Sequence, residues 1–210
     1  MSTRLLDPQT LQTLQPAHAL WQHYRPEDAP YRFQAQTQVE AERWQADTRQ
    51  ALNDTLGFQN WPVVDPEPEV IESVNKGDYL REKVLLRTSP HTSMPVYLLI
   101  PQGDPHPRPA AIAFHGHGYG VKDIVGLWED GDERDTADGY HKDFAVALCR
   151  RGFAVAAPEI SCFGERQTDF SYLQGPIRGS APSTCDHTAK LAFHLGGSAL
   201  GLRVWDAKRL

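Results

Sequence analysis

Two short apolar runs separated by a helical stretch constrain the fold of this chain more than any other feature. The runs are residues 110–114 (AAIAF) and residues 153–160 (FAVAAPEI). Continuous apolar runs of this length are typical of strands that are buried on both faces of a sheet. Between them, residues 140–151 carry apolar side chains at helical spacing, and Gly152 follows at a position where helices commonly end. The order strand, helix, strand predicts an α/β fold with a parallel sheet.

The N-terminal third of the chain has a different character. It is rich in Gln, Ala and Glu, and residues 34–56 contain no Gly or Pro, which predicts a helix that Gly57 ends. Residues 61–70 (WPVVDPEPEV) carry three prolines and predict an extended linker. We therefore expect a helical extension with its linker over residues 1–70 and an α/β domain over residues 71–210.

Further elements of the second part follow from local patterns. Two short apolar runs joined by a polar stretch predict a β-hairpin formed by residues 83–88 (KVLLRT) and 95–100 (PVYLLI). Helices are expected over residues 186–195 and from Leu200 to the last residue.

Charge and composition exclude several functions. The net charge is −6, from 21 basic and 27 acidic side chains, and no run of basic residues offers a surface for phosphates. No segment approaches the roughly 18 apolar residues that a membrane helix needs, and the N-terminus lacks the apolar core of a signal peptide. The three cysteines, Cys149, Cys162 and Cys185, are expected to be reduced thiols. We expect a cytoplasmic protein that binds neither nucleic acid nor a membrane.

The loop after the first apolar run, residues 115–120 (HGHGYG), is the strongest candidate for a functional site. Its H-x-H spacing opens a binuclear zinc motif, but Tyr119 and Gly120 stand where that motif needs a carboxylate and a third histidine. The glycines match neither G-x-G-x-x-G nor a P-loop with its Lys-Ser/Thr pair. We therefore expect neither a metal nor a cofactor here. A tight turn without a function is the simplest alternative.

A second loop is expected to share this site. Ligands in parallel α/β sheets bind beyond the carboxyl ends of the strands. Residues 115–120 follow the first predicted strand, and residues 159–167 follow the second.

Three segments in a fixed order resemble one known family. They are AIAFHGHGYG (111–120), YHKDFAVALCRRGFAVAAPEISCFGER (140–166) and GLRVWDAKRL (201–210). Together they resemble the α/β-hydrolase superfamily, specifically its dienelactone hydrolase and acetyl xylan esterase-like branch, over about residues 80–210. The resemblance implies the N-terminal part of an α/β-hydrolase fold, in which a mostly parallel sheet is flanked by helices and the chain stops before the nucleophile strand. Residues 71–210 would then be a partial α/β-hydrolase domain.

The resemblance also assigns roles to residues of the first loop. A His-Gly-rich loop in this family presents backbone N–H groups to the oxyanion of a tetrahedral intermediate, and glycines leave those donors unobstructed. The expected oxyanion loop consists of His115, Gly116, His117 and Gly118. The backbone N–H of His117 is the expected donor. Tyr119 and Phe163 are expected to line the acyl or alcohol pocket, with ordinary packing as the alternative.

The second loop carries charged residues with expected structural roles. Glu165 and Arg166 are expected to hold the loop by a local ion pair. Glu159 follows Pro158 at the strand end, where it resembles a catalytic acid, but the acid of this family comes later in the chain.

The catalytic triad is the missing part of the pattern. The nearest approach to G-x-S-x-G is GGSALG around Ser198, which has a second glycine one place too far and lacks a preceding apolar strand. Cys162 is the alternative nucleophile, but no elbow surrounds it, and the histidines that follow, His187 and His194, fit a packed or surface helix better. The resemblance places the nucleophile, acid and base after Leu210.

We therefore expect a serine-type carboxylic-ester or lactone hydrolase with a small-molecule ester substrate, of which residues 1–210 alone are inactive. A non-catalytic, truncated or degenerate α/β module is the first alternative, and a His-based metal-dependent hydrolase is the second. In the family's sheet order, the strand at residues 110–114 would lack one neighbour and expose an apolar edge. That edge predicts self-association or low solubility of this chain by itself.

Overall fold

The computed structural model describes residues 7–103, 107–170 and 183–210. The chain forms two compact units, Met1–Leu52 and Asn53–Leu210. The boundary near residue 70 was drawn from composition, and as a domain boundary it stays a prediction.

The first unit is helical in its described part. It contains α1 (Pro8–Thr13), α2 (Pro16–His23) and most of α3 (Gln38–Leu56). Helix α3 begins later than the predicted residue 34, because Thr37 and Glu40 form a capping box. The Thr37 N–H donates to the Glu40 carboxylate at 3.0 Å, and the Glu40 N–H donates to Thr37 Oγ1 at 3.3 Å.

The second unit holds a five-stranded sheet with helices. Its strands are β1 (Glu69–Asn75), β2 (Tyr79–Ser89), β3 (Thr92–Pro101), β4 (Ala110–Ile112) and β5 (Ala154–Pro158). Its helices are α4 (Phe144–Cys149), α5 (Thr184–His194) and α6 (Ala199–Ala207). The predicted hairpin is confirmed, since β2 and β3 pair antiparallel with Val84 opposite Val96. The two helices expected near the C-terminal end of the sequence are confirmed as α5 and α6.

The strands are arranged in the order β1-β2-β3-β5-β4. Three neighbouring pairs are antiparallel and the β4–β5 pair is parallel, so the described sheet is mixed rather than mostly parallel. The β1–β2 and β2–β3 pairs are antiparallel because these strands follow one another through short turns, which cannot join parallel strands. The β3–β5 pair is antiparallel without such a turn, since β4 and α4 lie between these two strands in the chain. The parallel pair is connected through α4, as the strand–helix–strand pattern predicted.

Strand β1 was not predicted. Six of its seven residues are exposed, so its sequence, EVIESVN, carries little of the apolar alternation that marks a half-buried strand. Its position is determined by backbone pairing with β2, from Glu69 opposite Leu85 to Asn75 opposite Leu80. Tertiary pairing therefore supplies what the local pattern lacks.

Strand β4 lies at the edge of the sheet, and the expected burial on both of its faces is wrong. The strand ends at Ile112 instead of Phe114, and these two side chains are 49% and 45% exposed. Within the described residues, no strand pairs with its outer side. An open apolar hollow of about 580 Å³ runs along β3, β4 and β5. The apolar pattern predicts burial better in β5, where Val155 is buried.

The apolar core lies on the face of the sheet that α4 covers. A 3-10 turn, Val121–Ile124, packs into the same core. Other core members are Tyr97, Leu99, Val125, Leu127, Val146 and Val155. Because this turn is buried, the loop of residues 115–120 is fixed at both ends, by β4 before it and by the turn after it.

Candidate active site

The two loops singled out by the sequence emerge from the same edge of the sheet. Residues 115–120 follow β4 and residues 159–167 follow β5, and these two strands are parallel neighbours. The loops meet at a buried pair, in which His115 Nε2 lies 2.8 Å from Glu159 Oε1. The side chains of the pair are 0% and 1% exposed.

Glu159 links the first loop to the second. Its Oε1 also accepts a hydrogen bond from the Val121 N–H at 3.1 Å. The Glu159 carboxylate therefore contacts the beginning and the end of the first loop, although it belongs to the second.

The Glu159 carboxylate occupies space that is free only because two neighbouring residues are glycines. A Cβ on Gly120, which has φ +107°, would lie 2.6 Å from Glu159 Oε2. A Cβ on Gly164, which has φ +48°, would overlap the same oxygen. Both positions also have a backbone conformation that side chains disfavour. The glycines are thus required by the buried carboxylate as well as by the turns.

The His115 ring fixes the peptide unit between Gly116 and His117. Its Nδ1 lies 3.0 Å from the carbonyl oxygen of Gly116, which accepts when Nδ1 carries the proton. Its Nε2 lies 3.2 Å from the N–H of Ile160, which donates to it. A trans peptide unit is planar, with its C=O and N–H pointing in opposite directions. Holding the Gly116 carbonyl therefore turns the His117 N–H away from the buried ring.

The His117 N–H is available to a ligand. The residue is exposed, and its N–H donates no hydrogen bond to any residue in the described ranges. The expected donor thus lies at the carboxyl edge of β4 with a fixed direction, although its role in catalysis stays a prediction.

His141 is a contact of this loop that sequence reasoning missed. Its Nε2 accepts from the Gly116 N–H at 3.2 Å and lies 3.1 Å from the carbonyl oxygen of His117. The sequence predicted a helix over residues 140–151, but α4 begins only at Phe144 because the two residues before it have left-handed backbone, φ +53° and φ +50°. That turn brings His141 to the loop, and no local pattern indicated it.

A buried charge network lies behind the loop. The Arg134 guanidinium donates to Asp123 Oδ1 at 3.1 Å, to Asp143, and to the Tyr119 hydroxyl at 2.7 Å. The Tyr119 hydroxyl donates in turn to the Leu127 carbonyl at 2.8 Å. Burial, with Asp123 as the second cause, raises the pKa of Tyr119 to about 12. Its hydroxyl is therefore protonated at neutral pH and engaged in the network.

The two predicted pocket aromatics both lie beside the loop. The Tyr119 ring borders a cavity of about 300 Å³ between the two loops, which Gly164 also lines. The Phe163 ring packs edge-to-face on His115 and His117, with ring centroids 5.4 and 5.8 Å apart. Their role in lining a substrate pocket stays a prediction.

The expected ion pair between Glu165 and Arg166 is wrong, although both residues hold the second loop. Glu165 pairs with Lys83 on β2 at 2.7 Å. Arg166 pairs with Asp206 on α6 at 2.6 Å and donates to the Glu159 carbonyl at 3.1 Å. Adjacent residues in this 3-10 turn point to different elements, so sequence neighbours do not become ionic partners.

The GLRVWD segment anchors α6 to the rest of the unit. Gly201 approaches the backbone of Leu56, Arg203 donates to the Ser161 carbonyl at 3.2 Å, and the Trp205 indole donates to the Thr88 carbonyl at 2.8 Å. The hydrogen bond from Arg203 and the Arg166–Asp206 ion pair attach α6 to the second loop.

The residues considered for a triad within this chain, Ser198, Cys162 and His187, lie in structural surroundings. The Ser198 hydroxyl caps α6, where it accepts from the Gly201 N–H and donates to the Leu56 carbonyl, both at 2.9 Å. Cys162 is buried in a turn with φ +78°. His187 packs on Phe170, with ring centroids 5.2 Å apart.

Across residues 7–103, 107–170 and 183–210, no three His, Cys, Asp or Glu side chains are grouped so that they could hold a metal ion. None of the helices in the described part of the chain is both long and apolar enough to cross a membrane.

Comparison with known proteins decides the family. The model of the abhydrolase family matches residues 2–209. The chain belongs to this family. The resemblance to the α/β-hydrolase superfamily is thereby confirmed, and no curated protein matches this abhydrolase.

Solved structures place the abhydrolase chain in the same fold. A structure from Bacteroides fragilis, provisionally described as an acetyl xylan esterase, is 20% identical with a TM-score of 0.68, over 98% of this chain and 50% of that one. A glucuronoyl esterase from Solibacter usitatus is 14% identical with a TM-score of 0.44, over 80% of this chain and 48% of that one. Acetyl xylan esterase 1 from Thermoanaerobacterium is 15% identical with a TM-score of 0.41, over 76% and 48%. The chain spans about half the length of these structures, and the first likeness supports the fold.

Proposed function

We propose that this abhydrolase chain supplies the oxyanion-binding part of a serine-type carboxylic-ester or lactone hydrolase. One observation carries the proposal. His117 is an exposed residue, its N–H donates no hydrogen bond within the described residues, and the direction of that N–H is fixed because the His115 ring holds the carbonyl on the other side of the same peptide unit. A preorganised N–H of this kind stabilises charge that develops on a carbonyl oxygen.

The proposed mechanism is that of a serine hydrolase. A serine attacks the ester carbonyl, a histidine takes the serine proton, and the carbonyl oxygen becomes an oxyanion. The His117 N–H donates to that oxyanion, beside the N–H of the residue after the nucleophile. In this proposal the serine, the acid and the histidine come from residues after Leu210, because Ser198 already serves as a helix cap. The esterase names of the similar structures support an ester as substrate.

Comparing a variant that lacks both the N–H and the imidazole of His117 with one that lacks only the imidazole tests the proposal. In the full-length gene product, His117→Pro removes the donor, and kcat for p-nitrophenyl acetate is expected to fall about 10²–10³-fold, the usual loss for one oxyanion donor. His117→Ala keeps the N–H and removes the imidazole, so its kcat is expected to stay within about threefold of the parent, since the ring is not assigned a chemical role.

Two results would contradict the proposal. One is a full-length protein that folds and hydrolyses no ester or lactone. The other is a His117→Ala variant that loses as much activity as His117→Pro, because the imidazole and not the N–H would then be at work. Residues 1–210 expressed alone are expected to show no turnover.

A further inference from the structure

We propose that Glu159 is a positioning residue, which sets the direction of the His117 N–H through the ring of His115. The inference deepens the proposed function and rests on it, because the N–H is an oxyanion donor only in a hydrolase. Glu159 itself does not contact substrate in this proposal, since its side chain is 1% exposed.

The first step is the hold of Glu159 on both loops. Its Oε1 contacts His115 Nε2 at 2.8 Å and accepts from the Val121 N–H at 3.1 Å. Gly120 and Gly164 press against the same carboxylate from either side, where a Cβ would clash. Neither loop can move without breaking a contact with this group.

The second step is the state of the His115 ring. Its Nδ1 lies 3.0 Å from the Gly116 carbonyl oxygen, which accepts when Nδ1 carries the proton, and its Nε2 faces both the Ile160 N–H and the Glu159 carboxylate. Nε2 lies 2.8 Å from Glu159 Oε1 and 3.2 Å from the Ile160 nitrogen, so both groups contact the same edge of the ring. These contacts hold the ring in the orientation that places Nδ1 beside the Gly116 carbonyl.

The third step is the surroundings of the pair. On the second loop, the Arg166 guanidinium binds the Glu159 carbonyl, and its charge is paired with Asp206. On the other side, the Phe163 ring packs edge-to-face on His115. The titratable group that faces the Glu159 carboxylate at contact distance is therefore the His115 imidazole.

Kinetics of the full-length protein give the first test. Glu159→Gln keeps the shape of the side chain but replaces the carboxylate that meets His115 Nε2 and the Val121 N–H by an amide, so kcat for p-nitrophenyl acetate is expected to fall about 10–100-fold, the effect of a small misplacement of a catalytic group. KM is expected to stay within about twofold, because the substrate does not touch Glu159. The matched control is Glu67→Gln, an exposed carboxylate paired with Arg87 at 3.3 Å, and both of its constants should be unchanged.

A cycle of variants separates positioning from simple loss of stability. If Glu159 acts through His115, Glu159→Gln and His115→Asn together should lower kcat no further than either change alone. Additive losses, or a loss that vanishes when kcat is corrected for the folded fraction, would overturn the inference.

A spectroscopic test is independent of activity. In protein labelled with ¹⁵N-histidine, the parent is expected to show a ring proton of His115 that exchanges slowly with water, and this measurement needs no variant. In Glu159→Gln, the ring ¹⁵N shifts of His115 and the amide shift of His117 are expected to change. A fast-exchanging ring proton in the parent, or unchanged shifts in the variant, would overturn the inference. If the parent shows the slow proton and the shifts respond, yet the protein hydrolyses no ester or lactone, the proposed function fails while the link from Glu159 to His117 holds.

Discussion

At the scale of single residues, some positions of this site lie so close to neighbouring atoms that no larger side chain fits there. Gly164 is the clearest case, because a Cβ there would overlap Oε2 of the buried Glu159. We expect Gly164→Ala to lower the free energy of unfolding by about 3 kcal/mol or more, from overpacking added to backbone strain. Urea denaturation measures this loss.

Gly152→Ala is the matched control for that change. Gly152 also has positive φ, at +95°, but a Cβ there would meet no atom within 4 Å. Its expected loss is the backbone strain alone, roughly 1–2 kcal/mol. Equal losses for the two variants would show that the Glu159 carboxylate moves aside freely.

The carboxylate of Glu133 is expected to make the free energy of unfolding depend on pH. Hydrogen bonds from the buried Arg81, and also from Lys76, hold its pKa at about 2, below the usual 4.5. A depressed folded-state pKa contributes stability above the unfolded value, and this stability is lost as the pH falls from about 4.5 towards 2. Glu133→Gln should be less stable than the parent at pH 7, and the gap should narrow over that acidic range. Urea unfolding at a series of pH values measures the gap, and a constant gap would contradict the assignment.

At the scale of elements, the motif residues of α6 attach this helix to its neighbours. Gly201 lies inside the helix, where alanine usually stabilises by about 1 kcal/mol. Here a Cβ would overlap the carbonyl oxygen of Leu56 at the end of α3. We therefore expect Gly201→Ala to destabilise the protein by about 1–3 kcal/mol, in spite of its helix propensity. Thermal unfolding followed by circular dichroism measures the change.

Leu200→Ala serves as the control in the same helix. Its side chain is 57% exposed, so the expected change is within about 0.5 kcal/mol. A stabilising effect of Gly201→Ala would mean that α6 can shift away from α3 at little cost.

The elements also differ in how far their sequences predict them. The β2–β3 hairpin and β5 were found from their short apolar runs, and α5 and α6 were also predicted. The exposed strand β1 gave no such pattern. Helix α4 was predicted too long, because left-handed backbone at Lys142 and Asp143 stops it from extending towards Tyr140.

At the scale of the whole molecule, the dominant feature is the open edge of the sheet at β4. Ile112 and Phe114 are about half exposed there, and an apolar hollow runs along the neighbouring strands. Unpaired apolar edges favour association. We expect residues 1–210, expressed alone, to self-associate, and Ile112→Lys to reduce this association. Sedimentation velocity measures both.

Phe193→Lys is the control for this prediction. Phe193 is 78% exposed but belongs to helix α5 and not to a strand. If the two variants reduce association equally, general apolar exposure and not the edge of β4 drives it. A monomeric parent would contradict the prediction outright.

Only part of the candidate site could be predicted from the sequence. The loop of residues 115–120 was found from its glycines and from its place after an apolar run, which are local properties. The partners of Glu165 and Arg166 were predicted wrongly, and His141 was missed, because each contact joins residues far apart in the chain.

The sequence by itself determined the α/β character of this protein, the position of its two loops at strand ends and, through the order of its motifs, its family. These properties depend on side-chain periodicity and on the conformational freedom of glycine, both of which act over a few residues. Only the tertiary structure decided that Glu159 meets His115 and that His141 contacts the loop. Such contacts join side chains separated by tens of residues, and they exist only once the packing of the whole unit brings those side chains together.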